Sequence, residues 1–127
     1  MGGIVGIAVL NGVGVAFNWY RTIWWFDIPM HLLGGGWLVV LFFYLRTTRF
    51  AHVALDSAPC LRFLSALGFV ALVGVGWEFF EYGLEFVLPS HLPAAARLAD
   101  TFGDLLNDLL GGVAVYYLLT AVRFFRR

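Results

Sequence analysis

The sequence predicts an all-α integral membrane protein, a bundle of four transmembrane helices with both termini on the cytoplasmic side. Three observations carry this. Of 127 residues, 61% are apolar and only 13% charged, against about 25% charged in an ordinary soluble domain. The apolar residues gather into four runs, each at least as long as the roughly 17 residues that a helix needs to cross a bilayer. The arginines lie almost wholly to one side of those runs. This balance excludes a soluble globular enzyme and a disordered chain. With eight basic and eight acidic residues, it also excludes a nucleic-acid binder, which needs a basic excess.

The first run extends from about Gly3 to Tyr20. It has no positive n-region and no small-residue cleavage site, so a retained span is expected rather than a signal peptide. Gly2-x-x-x-Gly6 is a small-xxx-small pattern that lets another helix approach closely. The second run covers about Ile28 to Leu45, and Trp24, Trp25 and Phe26 before it, with Trp19 and Tyr20, suit an interfacial belt. The third extends from about Leu61 to Leu88, and Pro89 and Pro93 mark the loop after it. Gly68, Gly74 and Gly76 within it are expected packing contacts. The fourth runs from about Thr101 to Val122. All four are expected in one domain covering residues 1–127, and none alternates as barrel strands do.

Orientation follows from positive charge. With four spans, Arg46, Arg49, Arg62, Arg123, Arg126 and Arg127 share one side, leaving Arg21 and Arg97 opposite. The termini are therefore expected inside, in a multi-pass protein of the cell inner membrane. The lone Cys60 cannot form an internal disulfide and says nothing about compartment.

The acids sort the other way. Only Asp56 lies on the arginine side. Asp27 opens the second run with His31 at i+4, Glu78, Glu81 and Glu85 occupy the outer half of the third, and Asp100, Asp104, Asn107 and Asp108 open the fourth. Each set falls at i, i+3, i+4 or i+7, so each helix carries one polar stripe. Carboxylates facing lipid cost roughly 2.5–3.5 kcal/mol each at a span centre, so the stripes are expected to meet inside the bundle. Crowded carboxylates there cannot all remain ionised without protons or a cation.

Three readings of the cluster stay open: an interhelical hydrogen-bond network, a cation or metal site, and a proton pathway. Asp27, His31, Glu78, Glu81, Asp104 and Asp108 are the candidate metal ligands, with Glu85, Asp100 and Asn107 in support. Oxygen donors with one imidazole suit Mg²⁺, Mn²⁺, Ca²⁺, Zn²⁺ or Fe²⁺. His31 has a second reading: Gly34, Gly35 and Gly36 leave a bare surface beside it where a haem or chlorophyll could dock, with the imidazole as axial ligand. Its alternative is a pairing with Asp27 or Glu78 while the glycines admit a close helix. Trp37, Trp77, Phe79 and Phe80 similarly suit either a pigment or quinone pocket or contact with lipid. His52 and His91 lie in loops. No P-loop, nucleophile elbow, HExxH or CxxC is present.

The order Asp27-x-x-x-His31, Trp77-Glu78-x-x-Glu81 and Asp100-x-x-x-Asp104-x-x-Asn107-Asp108-x-x-Gly111 resembles the small polytopic bacterial proteins of the YjdF and VanZ-like type. The resemblance implies a multi-span inner-membrane protein and supports a site without naming its reaction.

Three functions are carried forward. The first is a cation-binding membrane protein acting on lipid-linked or phosphorylated compounds. The second is an accessory subunit of a larger membrane complex, or a homo-oligomer. The third is a proton-coupled carrier, weakened by the lack of any repeat.

Overall fold

A computed structural model describes residues 2–49, 58–84, 87 and 93–125. The described residues form five helices and no strand: α1 (Gly2–Ala16), α2 (Trp19–Thr22), α3 (Asp27–Thr48), α4 (Pro59–Leu84) and α5 (Ala94–Phe125). Three of them, α3, α4 and Ala94–Val122 of α5, are long and apolar enough to cross a membrane. At 1.5 Å per residue the shortest is about 33 Å long, enough for a hydrocarbon layer of about 30 Å.

The expected first span is broken. The helix ends at Ala16, and Asn18 takes a left-handed conformation (φ 55°, ψ 32°) before the single turn of α2. Asn tolerates that region far better than the apolar residues around it. The 15 residues of α1 reach only about 22 Å. Gly14 lies against Phe26 and Tyr20, while Gly3 lies against Trp37. Thus α1 runs antiparallel to α3 and flanks only its first half. Gly2 and Gly6 have open space around them, so their pattern serves no contact among the described residues.

The other boundaries shift for local reasons. Pro59 opens α4, where its missing N–H costs nothing. Pro93 performs the same service next to α5, which starts at Ala94 rather than Thr101, with the Arg97 amide bonded to the Pro93 carbonyl. Beyond Leu84, the expected end of the third span lies largely outside the described residues.

Helix α5 packs against both α3 and α4, most extensively against α3. The α3–α5 crossing is made by reciprocal glycines. A Cβ at Gly35 would strike the Asp108 carbonyl, and one at Gly111 would strike the Leu32 carbonyl. Lipid is as apolar as a leucine side chain, so close van der Waals packing has to hold such helices together. Below the crossing lies an apolar core of Val39, Phe43, Ala66, Val70 and Tyr116. Phe63 meets Tyr116 edge-on with ring centres 5.0 Å apart. The Tyr116 hydroxyl accepts a hydrogen bond from Arg62 Nε at 3.3 Å. Of the expected packing glycines in α4, only Gly74 has a neighbour; Gly68 and Gly76 face open space.

Candidate metal and cation site

Opposite the arginine end, the same three helices enclose polar side chains. His31, Asp104 and Asp108 are only 8%, 6% and 6% exposed, so their charges need partners within the protein. They have them. His31 Nδ1 lies 3.3 Å from Asp108 Oδ1, while Nε2 faces Asp27 Oδ1 at 3.5 Å and Asp104 Oδ1 at 3.7 Å. The i, i+4 spacing of Asp27 and His31 places them on one face of α3. Asp104 and Asp108, also four apart, bring the α5 stripe to the same point.

Space for Asp108 comes from missing side chains. A Cβ at Gly74 would sit 2.8 Å from its Oδ2, and one at Gly34 would sit 3.9 Å from its Oδ1. The carboxylate is wedged between α3 and α4. This explains Gly74, whereas a side chain at Gly34 would make only ordinary contact with Asp108. Gly35 and Gly36 are covered by α5, through the Asp108 backbone and Val115. Gly35 and Gly36 therefore offer no surface to a haem or chlorophyll, whereas Gly34 and His31 line open space.

Two carboxylate groups share Asp104. In one, Asp27, His31 and Asp104 bring ligand atoms within 4.8 Å of one another; in the other, Glu78, Glu81 and Asp104 do the same. Thr101 bonds the Glu78 carboxylate, but Glu78 Oε1 is buried with no hydrogen-bond partner among the described residues. Adjacent ligands of Mg²⁺ stand roughly 3 Å apart and opposite ones roughly 4.2 Å, so the three atoms of each group would draw together around a bound ion.

Two cavities meet the cluster. One, of about 400 Å³, lies between the acidic ends of α4 and α5, lined by Glu78, Glu81, Asp100, Asp104 and Arg97. The other, of about 580 Å³, lies among α1, α3 and α4 and reaches Asp27, His31, Glu81 and Asp108. Trp37, Trp77 and Phe80 line the second cavity, whereas Phe79 is 72% exposed.

All six expected ligands thus lie at one place. Asp108 stands behind the imidazole, on Nδ1, rather than in either group of ligand atoms. Asp100 lines the smaller cavity, and Asn107 is half-buried and lines neither. Glu85, Asp56, His52 and His91 fall outside the described residues. The sequence reading missed the glycines that admit Asp108. It also missed Tyr20, which lines the larger cavity and donates a hydrogen bond to Asn11 Oδ1.

A polar cluster held inside three apolar helices accords with the family comparison. The family described as "Predicted membrane protein (DUF2238)" matches residues 2–124. The chain belongs to this family. As a DUF2238 member it is an integral membrane protein. The description names no reaction, and the YjdF and VanZ-like likeness stays a resemblance of three motifs. No curated protein and no solved structure matches the chain.

Proposed function

We propose that this DUF2238 protein binds divalent cation at the acidic cluster and acts there on lipid-linked or phosphorylated compounds at the outer leaflet of the inner membrane. The observation that carries this is the pair of ligand groups sharing Asp104, with a buried Glu78 oxygen that has no hydrogen-bond partner among the described residues. Asp27, His31 Nε2 and Asp104 would hold one cation, and Glu78, Glu81 and Asp104 a second. Asp108, accepting from Nδ1–H, would fix the imidazole tautomer that offers Nε2 as ligand. Carboxylate partners of metal-bound histidines commonly act in this way. A bound cation would supply Lewis acidity and hold a phosphate oxygen. The proposed topology is four-helical with termini inside, α1 entering the bilayer as a partial fourth span. The arginine bias supports this orientation.

A second reading, an accessory subunit or homo-oligomer, draws on the bare faces at Gly2 and Gly6, which suit a helix from another chain.

Elemental analysis of detergent-purified protein tests the first reading. Stoichiometric Mg, Mn, Zn or Fe that falls in Glu78→Gln supports it. Trace metal at the same level in both proteins overturns it.

A further inference from the structure

The 580 Å³ cavity has a composition of its own. Its walls from α1 and α4 are mostly apolar, among them Ile4, Ile7, Val73 and Leu84. At one end the lining turns acidic and aromatic together. Asp27, Glu81 and Asp108 stand there with Tyr20, Trp37 and Trp77. No arginine lines the cavity among the described residues, and its acidic end sets three carboxyl groups against one imidazole. A phosphate or carboxylate head group would find His31 as its one basic side chain among the lining residues. A small inorganic ion fits the acidic end but leaves the apolar length unfilled.

We infer that this cavity binds a lipophilic organic cation, an ammonium or phosphonium carrying an apolar body. The apolar body would lie between α1 and α4, and the charge beside Asp27 and Glu81. Aromatic faces attract such ions through the ring quadrupole, most strongly where water is excluded. Weakly hydrated organic cations also lose less than Na⁺ or Mg²⁺ on leaving water. The volume lies within the roughly 300–1,000 Å³ of small-molecule sites.

This inference goes beyond the metal reading and does not depend on it, although Asp27 and Glu81 belong to both. The test uses full-length protein in mild detergent with a chelator present, following tryptophan fluorescence, since Trp37 and Trp77 line the cavity. The probes are tetraphenylphosphonium and tetraphenylborate, which share a shape and differ in sign. Saturable one-to-one binding of the phosphonium is expected, with no saturable binding of the borate. Glu81→Gln should weaken the phosphonium about tenfold by removing a negative charge from beside the bound cation. Trp37→Leu, which touches no carboxylate, should weaken it about five- to tenfold; it serves as the test if Glu81→Gln does not fold. Equal binding of both probes, binding that never saturates, or indifference to both substitutions would each overturn the inference. Metal content, read separately on protein never exposed to chelator, can fail without touching this result, and the reverse also holds.

Discussion

The two ends of the bundle are built from the same three helices on opposite principles. Toward the arginine end, Val39, Ala66 and Val70 are fully buried against Phe43 and Tyr116. Toward the acidic end the buried positions on the same helix faces hold His31, Asp104 and Asp108. On α5 one stripe passes from Asp104 and Asp108 through Gly111 and Gly112 to Tyr116. The glycine crossing is the hinge between the two regimes. The lesson is that packing stabilises the fold at one end and permits a costly site at the other.

The most damaging substitution should therefore lie at the crossing, where both ends depend on it. Gly35→Leu forces a side chain into the Asp108 backbone, and overpacking of this kind costs about 3 kcal/mol. Loss of the folded, monodisperse protein in detergent is expected. Gly68→Ala, in open space, should instead be neutral or stabilising by about 0.5–1 kcal/mol. If both variants unfold equally in a denaturant titration, glycine content rather than the crossing matters.

Next come paired changes, one at each end. Phe43→Ala opens a void in the apolar core. Lipid removes most of the hydrophobic transfer contribution, so the loss should be about 2 kcal/mol, below the 3–5 seen in soluble cores. Metal content should be unchanged. Asp104→Asn should do the opposite, emptying both ligand groups of metal while raising the chelated protein's stability by about 1 kcal/mol, because it removes one of several crowded carboxylates. Equal destabilisation by the two variants, with no change in metal, would make the acidic end a packing network like the other.

Much of this contrast was legible in the sequence. Spacings of three and four placed Asp27 with His31, Glu78 with Glu81, and Asp104 with Asp108, and the cost of lipid exposure sent all of them inward. A stripe identifies a helix face but not its height against a neighbour. For that reason the sequence could not show that Asp108 sits behind the imidazole while Asp104 bridges the two ligand groups. Nor could it tell Gly74, which makes room for Asp108, from Gly68 and Gly76, which face nothing. The first run is apolar but for Asn11 and Asn18, so composition concealed the break at Asn18. The one available signal was the residue type, an Asn at the end of an otherwise helical stretch.

The smallest expected effect concerns the link between α2 and the acidic end. Tyr20 lies outside the three long spans, and its phenol is pushed up to about 12, first by burial and then by the negative charges of Asp27 and Glu81. Below its ordinary value of 10.0 the phenol is neutral in folded and unfolded chains alike and adds no pH dependence. As pH rises from about 10 to about 12, the unfolded chain releases this proton while the folded chain retains it, so stability falls across that window. Tyr20→Phe should abolish its share of the fall. At neutral pH it should cost about 0.5–1 kcal/mol for the lost hydrogen bond to Asn11. Denaturant midpoints for both proteins at about pH 9 and about pH 11 measure the difference directly. A wild-type decline no steeper than that of Tyr20→Phe would show that the acids do not act on α2, confining their influence to the helices that carry them.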